Sequence, residues 1–304
     1  MEKRKLGNSD LYVSELGLGC MSIGTDETKG KAIISAALEE GINYFDTADL
    51  YDQGINEKIV GKSLKFVREK VVIATKAGNR WNEDGKGWHW DPSKNYIKEA
   101  VKSSLHRLGT DYIDLYQLHG GTIEDPIDET IEAFEELKEE GLIRYYGISS
   151  IRPNVIREYV KKSSIVSVMM QYSLLDRRPE ETVFPLLSEH NISVVTRGPL
   201  ARGILSDKML EKASVQGYLN YSYEELKDLL QIIQQKLLTR DRSMTELAIG
   251  FNLFTDPVAS VIAGASSVEQ VKENARAANA SRLTEQEQEM LMALFTANKY
   301  EDHR

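Results

Sequence analysis

Short apolar runs alternate with helical stretches about eight times along this chain, and few folds accommodate that rhythm. The first run is LGLGCMSIG (16–24), a strand opening into a Gly-rich loop. NYFD (43–46), VVIATKA (71–77), YIDLYQLH (112–119) and RYYGISS (144–150) follow, then 166–172, SVVTR (193–197) and VASVIAGAS (258–266). Between them lie helical patterns at 28–41, 56–65, 95–108, 127–140, 154–161, 180–189, a longer region at 223–254, and 268–278. Strands that are apolar throughout are buried on both faces, and strict alternation with helices implies parallel pairing. About eight such units predict an α/β fold, a (β/α)8 TIM barrel. A doubly wound open sheet would usually have fewer strands. The segments 4–6 and 11–13, flanking the turn GNSD, predict an N-terminal β-hairpin. The stretch 284–298 predicts an additional C-terminal helix. No linker or low-complexity segment divides the chain, so a single domain over 1–304 is expected.

Composition narrows the partners. The net charge is -9, with acidic and basic residues interspersed, which argues against nucleic acid or an anionic membrane as the main partner. Cys20 is the only cysteine, so no intramolecular disulfide can form, as befits a reducing compartment. The start MEKRKLGNSD carries no apolar run, and no stretch approaches the roughly 20 residues that span a bilayer. A cytoplasmic protein is expected, monomeric by default.

In a (β/α)8 barrel, chemistry sits at the C-terminal ends of the strands. Those ends carry Gly19, Asp46, Lys76, His119, Ser149, Gln171, Arg197 and Gly264. Taken singly, each has a bland reading: Asp46 as a helix cap, Lys76 as a solvated strand end, His119 as a loop histidine, Tyr51 as a half-buried tyrosine. Packing alone would not choose one polar group per successive strand. Asp46, Tyr51, Lys76 and His119 would converge at one rim, where a tyrosine beside a lysine and a carboxylate makes a proton donor. The lysine charge favours the phenolate, bringing the proton's release nearer neutral pH. No metal site is read.

FDTADLY, ATK, DLYQLH, GISS, MMQYSLL and GPLARG, in that order, resemble the aldo-keto reductase superfamily. The likeness runs over nearly the whole chain and is strongest to the bacterial general-stress and inositol-operon reductases of bacilli. It implies NADPH-dependent reduction of aldehydes or ketones to alcohols, with hydride transfer to a small-molecule carbonyl substrate. Tyr51 would be the general acid, Lys76 and Asp46 its supporting pair, and His119 the group that orients the carbonyl oxygen.

The resemblance also implies a cofactor-binding set. Gly19, Cys20 and Met21 lie at the mouth. Ser149, Ser150 and Gln171 match the carboxamide site, with Ser150 where relatives commonly have asparagine. Arg197 stands where many place a tyrosine against the nicotinamide ring. Gly198, Leu200, Arg202, Gly203 and Leu205 match the segment that wraps the pyrophosphate. Gly264, Ser266, Gln270 and Asn274 match the adenosine 2′-phosphate site, where a helix N-terminus binds an anion without a cationic side chain. The loop 78–94 holds all three tryptophans, and Trp81, Trp88 and Trp90 are expected to wall the substrate pocket. The tail KYEDHR looks too polar to do so.

Two other functions share these residues. An NADPH-binding regulatory subunit with little turnover, like the β subunits of potassium channels, is the main alternative. A Schiff-base lyase using Lys76 is the other, disfavoured because Asp46 would keep the lysine protonated.

Overall fold

The computed structural model describes residues 1–206, 208–238 and 242–304. An antiparallel hairpin of β1 (Lys3–Lys5) and β2 (Tyr12–Ser14) opens the chain. Strands β3 (Leu16–Gly19), β4 (Tyr44–Asp46) and β5 (Val72–Ala77) follow. A second hairpin, β6 (Asn79–Trp81) and β7 (Trp88–Trp90), occupies the segment expected to be loop. Then come β8 (Ile113–Leu118), β9 (Ile143–Ser149), β10 (Ser167–Gln171), β11 (Ser193–Arg197) and β12 (Val258–Gly264). The eight strands β3, β4, β5, β8, β9, β10, β11 and β12 pair in parallel, and β12 returns to β3 to close a barrel. The predicted (β/α)8 architecture is therefore the one observed.

The helices are α1 (Glu27–Glu39), α2 (Ile55–Leu64), α3 (Lys94–Leu108), α4 (Ile127–Glu139), α5 (Pro153–Lys162) and α6 (Val183–Glu189). After β11 come α7 (Met209–Lys212), α8 (Tyr223–Lys236) and α9 (Met244–Phe254), and after β12, α10 (Val268–Asn279) and α11 (Glu285–Leu294). The single helical region expected over 223–254 is thus two helices. Ser243 begins the second: its hydroxyl caps Glu246, whose carboxylate returns to the Ser243 amide, a capping box that starts a new helix. Among the described residues no helix is long and apolar enough to cross a membrane.

Two apolar clusters follow from strand alternation. Residues facing outward pack against the helices, and Phe134 stacks on Tyr146 in that layer. Residues facing inward, including Tyr44, Val72, Ala74, Leu115, Met169 and Val195, fill the barrel. Leu6, Leu11 and Val13 of the first hairpin join the inner cluster and stopper its lower end. With the bottom plugged, the mouth at the strands' C-terminal ends is where polar groups gather.

Candidate active site

Asp46 ends β4 and Lys76 lies one residue before the end of β5. Both face inward above the apolar plug, and their side chains meet. Lys76 Nζ donates to Asp46 Oδ2 at 2.7 Å and to the Thr47 carbonyl at 2.8 Å. Gln117, registered against Lys76, donates to the other Asp46 oxygen at 3.4 Å. The lysine is 1% exposed and the Asp46 side chain 6%. Burial works against the ammonium, but Asp46 and Tyr51 beside it outweigh that and hold Lys76 above its usual range.

Tyr51 reaches this pair through a turn that no regular helix would make. Thr47 and Asp49 continue the ladder beyond β4 by donating to the carbonyls of Ala74 and Lys76. Thr47 Oγ1 donates to Asn56, whose amide donates to the Cys20 carbonyl, so the segment is bound on both sides. Directly after Tyr51, Asp52 and Gln53 adopt φ of 49° and 54°, and Gly54 follows at 82°. Two left-handed non-glycine residues in succession are costly and persist only where the surroundings impose them. The Tyr51 ring faces Lys76 Nζ at 5.2 Å from its centroid.

His119 follows β8, its backbone amide bonded to the Ala77 carbonyl. Its ring stands edge-on to Tyr51. Burial, then the charges of Lys76 and Arg197, lower its pKa to about 3, so the imidazole is neutral. Its Nδ1 is buried and finds no partner among the described residues. The four side chains therefore comprise an ion pair, a phenol and an uncharged imidazole at one rim.

The other residues singled out in the sequence are more scattered. Gln171 and Arg197 are registered partners on β10 and β11, and Ser149 ends β9 beside them. Ser150 is buried and accepts from the Arg152 amide. Met21 is exposed at the mouth, whereas the Cys20 and Leu205 side chains are wholly buried and can face a ligand only through backbone. Gly198 and Gly203 hold φ of 69° and 90°, with the exposed Arg202 between them also left-handed and Leu200 partly buried. At the start of α10, Gln270 Oε1 accepts from the Ser266 amide at 2.7 Å, and Ser267 caps the helix. Asn274 is buried and donates to the Gly264 carbonyl at 3.4 Å. A Cβ at Gly264 would come within 2.8 Å of Ser22 Oγ.

The three tryptophans part company. Trp81 is half-buried and donates to the Leu50 carbonyl, next to Tyr51. Trp90 packs on the outer core over Gly78 and Gly120 and donates to Asp125. Trp88 is 52% exposed.

Several residues at the site went unassigned in the sequence reading. Asp49 is buried, takes a 3.1 Å bond from the Tyr96 phenol, and leaves Oδ1 without a partner among the described residues. Burial, with Glu57 nearby, raises its pKa to about 7. Tyr218 accepts from Gln171. Tyr300, in the tail set aside as too polar, is buried under the Arg178 guanidinium at 4.9 Å from the ring centroid. Its position in NKYEDHR gives no periodic signal of burial.

The fold and the rim together are those of a plugged (β/α)8 barrel that carries a buried Lys–Asp pair, a tyrosine and a neutral histidine at its mouth. The sequence model of the aldo/keto reductase family matches residues 15–295, and the chain belongs to that family of oxidoreductases. It is 61% identical to an oxidoreductase of Bacillus subtilis, YqkF, over the full length of both chains. It is 33% identical to an NADH-specific methylglyoxal reductase of Escherichia coli, covering 92% of this chain and 94% of that one. The solved holo form of aldo-keto reductase AKR11C1 from Bacillus halodurans superposes with a TM-score of 0.95 at 63% identity, covering 100% of this chain and 99% of that one.

Proposed function

We propose that this protein reduces aldehydes and ketones to alcohols with NADPH, Tyr51 acting as general acid. The observation that carries this reading is the buried Lys76–Asp46 pair set against the Tyr51 ring beside an uncharged His119. When bound, the reduced nicotinamide supplies a hydride to the carbonyl carbon. His119, neutral, has one ring N–H to give, and that N–H holds and polarises the carbonyl oxygen. Tyr51 transfers its proton to the oxygen as it becomes an alkoxide. Lys76 stabilises the phenolate left behind, and Asp46 keeps the ammonium charged and in place. Tyr51, only half-buried, recovers its proton from solvent.

The residues fit a nicotinamide dinucleotide. Ser149 and Gln171 would hold the carboxamide, Gln171 offering an acceptor oxygen at the rim. The left-handed turn 198–203 would lie against the pyrophosphate, its two glycines leaving the backbone uncovered. The start of α10 would take the adenosine end, its Ser266 amide now donating to the neutral Gln270 side chain. A phosphate displaces a neutral amide readily at a helix N-terminus. Apolar carbonyl compounds suit the mouth: Met21, Trp88, Ile123, Ile151 and Leu219 are exposed in the segments that follow barrel strands, Trp88 on the second hairpin.

Loss of reduced-nicotinamide absorbance with 4-nitrobenzaldehyde, compared for NADPH and NADH, tests the proposal. Turnover preferring NADPH, and lowered roughly 10²–10⁴-fold in Tyr51→Phe with cofactor affinity kept, is the expected result. Full activity in Tyr51→Phe would remove Tyr51 as the donor, and binding without turnover across a broad aldehyde panel would defeat the reading.

A further inference from the structure

The side-chain amide of Gln171 is engaged at both ends. Nε2 donates to the Tyr218 phenol oxygen at 2.9 Å, and Arg197 Nη1 donates to Oε1 at a longer 3.4 Å. Arg197 is the registered neighbour of Gln171 across β10 and β11, so its approach is set by the sheet. A guanidinium has donors and no acceptor. The flipped amide would turn its own N–H groups toward Arg197, donor against donor. The orientation observed satisfies both neighbours.

Tyr218 arrives from a long excursion after β11 and is delivered by a tightly specified turn. Gly217 has φ of 77°, and a Cβ there would overlap the Tyr221 carbonyl oxygen. Tyr218 and Tyr221 exchange backbone hydrogen bonds at 2.9 and 3.0 Å. Tyr221 then donates its phenol to the Thr296 carbonyl, and Asn298 donates to Asn220, both at 3.0 Å. Asn298 also accepts from the Arg177 amide at 2.8 Å. The turn is thereby tied to the C-terminal segment and to the loop after β10, which fixes the phenol over Gln171. Burial, followed by the Asp176 charge, raises the Tyr218 pKa, so the phenol is neutral.

We propose that Tyr218 and Arg197 are positioning residues that turn the oxygen of the Gln171 amide toward the cofactor, so that the site selects a nicotinamide bearing an NH2 donor. This rests on the reading of Gln171 as a carboxamide ligand. With Nε2 committed to Tyr218, Oε1 keeps a free lone pair beside its long contact with Arg197. A pyridine nucleotide whose carboxamide is replaced by an acetyl group has no N–H to give it.

Calorimetric titration of NADPH and of reduced 3-acetylpyridine adenine dinucleotide phosphate into wild type, Tyr218→Phe and Gln171→Ala tests this. Wild type is expected to favour NADPH by about fivefold, the worth of one ordinary hydrogen bond. Tyr218→Phe should narrow that ratio by weakening NADPH alone, Arg197 still opposing the flipped amide. Equal weakening of both ligands, or an unchanged ratio, would overturn the role of Tyr218. If Gln171→Ala alone erased the preference, the carboxamide reading would stand and the positioning role would fall. If wild type bound both equally, or neither, the reading of Gln171 would fall and take the proposal with it. Should Tyr218→Phe unfold, Arg197→Met carries the same test, with the same narrowing of the ratio expected.

Discussion

His119 meets Tyr51 edge to face, the ring centroids 5.9 Å apart and the planes at 84°. An imidazole in that position would ordinarily titrate near neutrality, but burial and the nearby Lys76 and Arg197 charges bring it to about 3. The rate of reduction should therefore show no inflection near pH 6.5 that belongs to His119. Its ring proton resonances should stay at one chemical shift from pH 5 to 8, and a midpoint inside that window would contradict a neutral imidazole.

The same depression fixes a sign for stability. The folded pKa lies below the unfolded value of about 6.5, so the unfolded chain binds a proton that the folded chain refuses. Stability contributed by this group falls as pH drops through the interval from about 6.5 toward 3. Urea unfolding at pH 7 and pH 5 should show a smaller loss in His119→Gln than in wild type. An equal loss would mean that the histidine does not carry this slope.

Lys76 and Asp46 are both removed from water, and each depends on the other. Removing one partner of a buried pair leaves an uncompensated charge and costs about 3–5 kcal/mol. Lys76→Met should fall in that range in urea unfolding, because Gln117 and the Thr47 carbonyl cannot replace the ammonium for Asp46. The double variant Asp46→Asn with Lys76→Met should recover most of the loss while remaining inactive. A double variant as unstable as the single one would show that the charges are not what couples these positions.

The barrel and its rim were legible because each strand is a short apolar run closed by a polar residue. Asp46, Lys76, His119, Gln171 and Arg197 could be read off by position alone. What was not legible depends on neighbours distant in the chain. Asp49 lies three residues after Asp46 and two before Tyr51, yet the bond it accepts comes from Tyr96 on α3 and the charge that helps raise its pKa from Glu57 on α2. Tyr218 finds Gln171 only after the excursion following β11 is folded and pinned by the C-terminal segment. The break before Ser243 did have a local signal, the serine and glutamate three apart, but a continuous helical pattern on both sides concealed it.

Asp49 yields a prediction of opposite sign to that of His119. Its folded pKa, about 7, lies above the ordinary carboxylate value, with burial the main cause and Glu57 adding to it. Tyr96 and Arg107 oppose the shift without cancelling it. The folded chain thus keeps a proton that the unfolded chain releases, and this stabilising contribution is lost as pH rises from about 4 through 7. Asp49→Asn, which cannot ionise, should gain on wild type across that interval and hold the advantage at pH 8. Thermal unfolding of both proteins at pH 5 and pH 8 measures it, and parallel curves would rule out the titration.

Trp88 and Trp90 are the two ends of the three-residue strand β7, yet their surroundings separate them. Trp90 lies across Gly78 and Gly120, where a Cβ would come within 2.7 and 3.2 Å of its ring, and its indole N–H donates to Asp125 at 2.9 Å. Trp90→Ala should destabilise the protein by about 2–3 kcal/mol, less than a fully buried tryptophan because part of the ring remains in contact with water. Trp88 has no such bed. Trp88→Ala should leave the unfolding midpoint within about 0.5 kcal/mol of wild type, as surface substitutions generally do. If Trp88 contacts bound substrate, its loss should raise KM for aromatic aldehydes while leaving KM for small polar ones unchanged. Parallel steady-state assays with the two substrate classes decide this, and an unchanged KM for both would leave Trp88 outside the pocket.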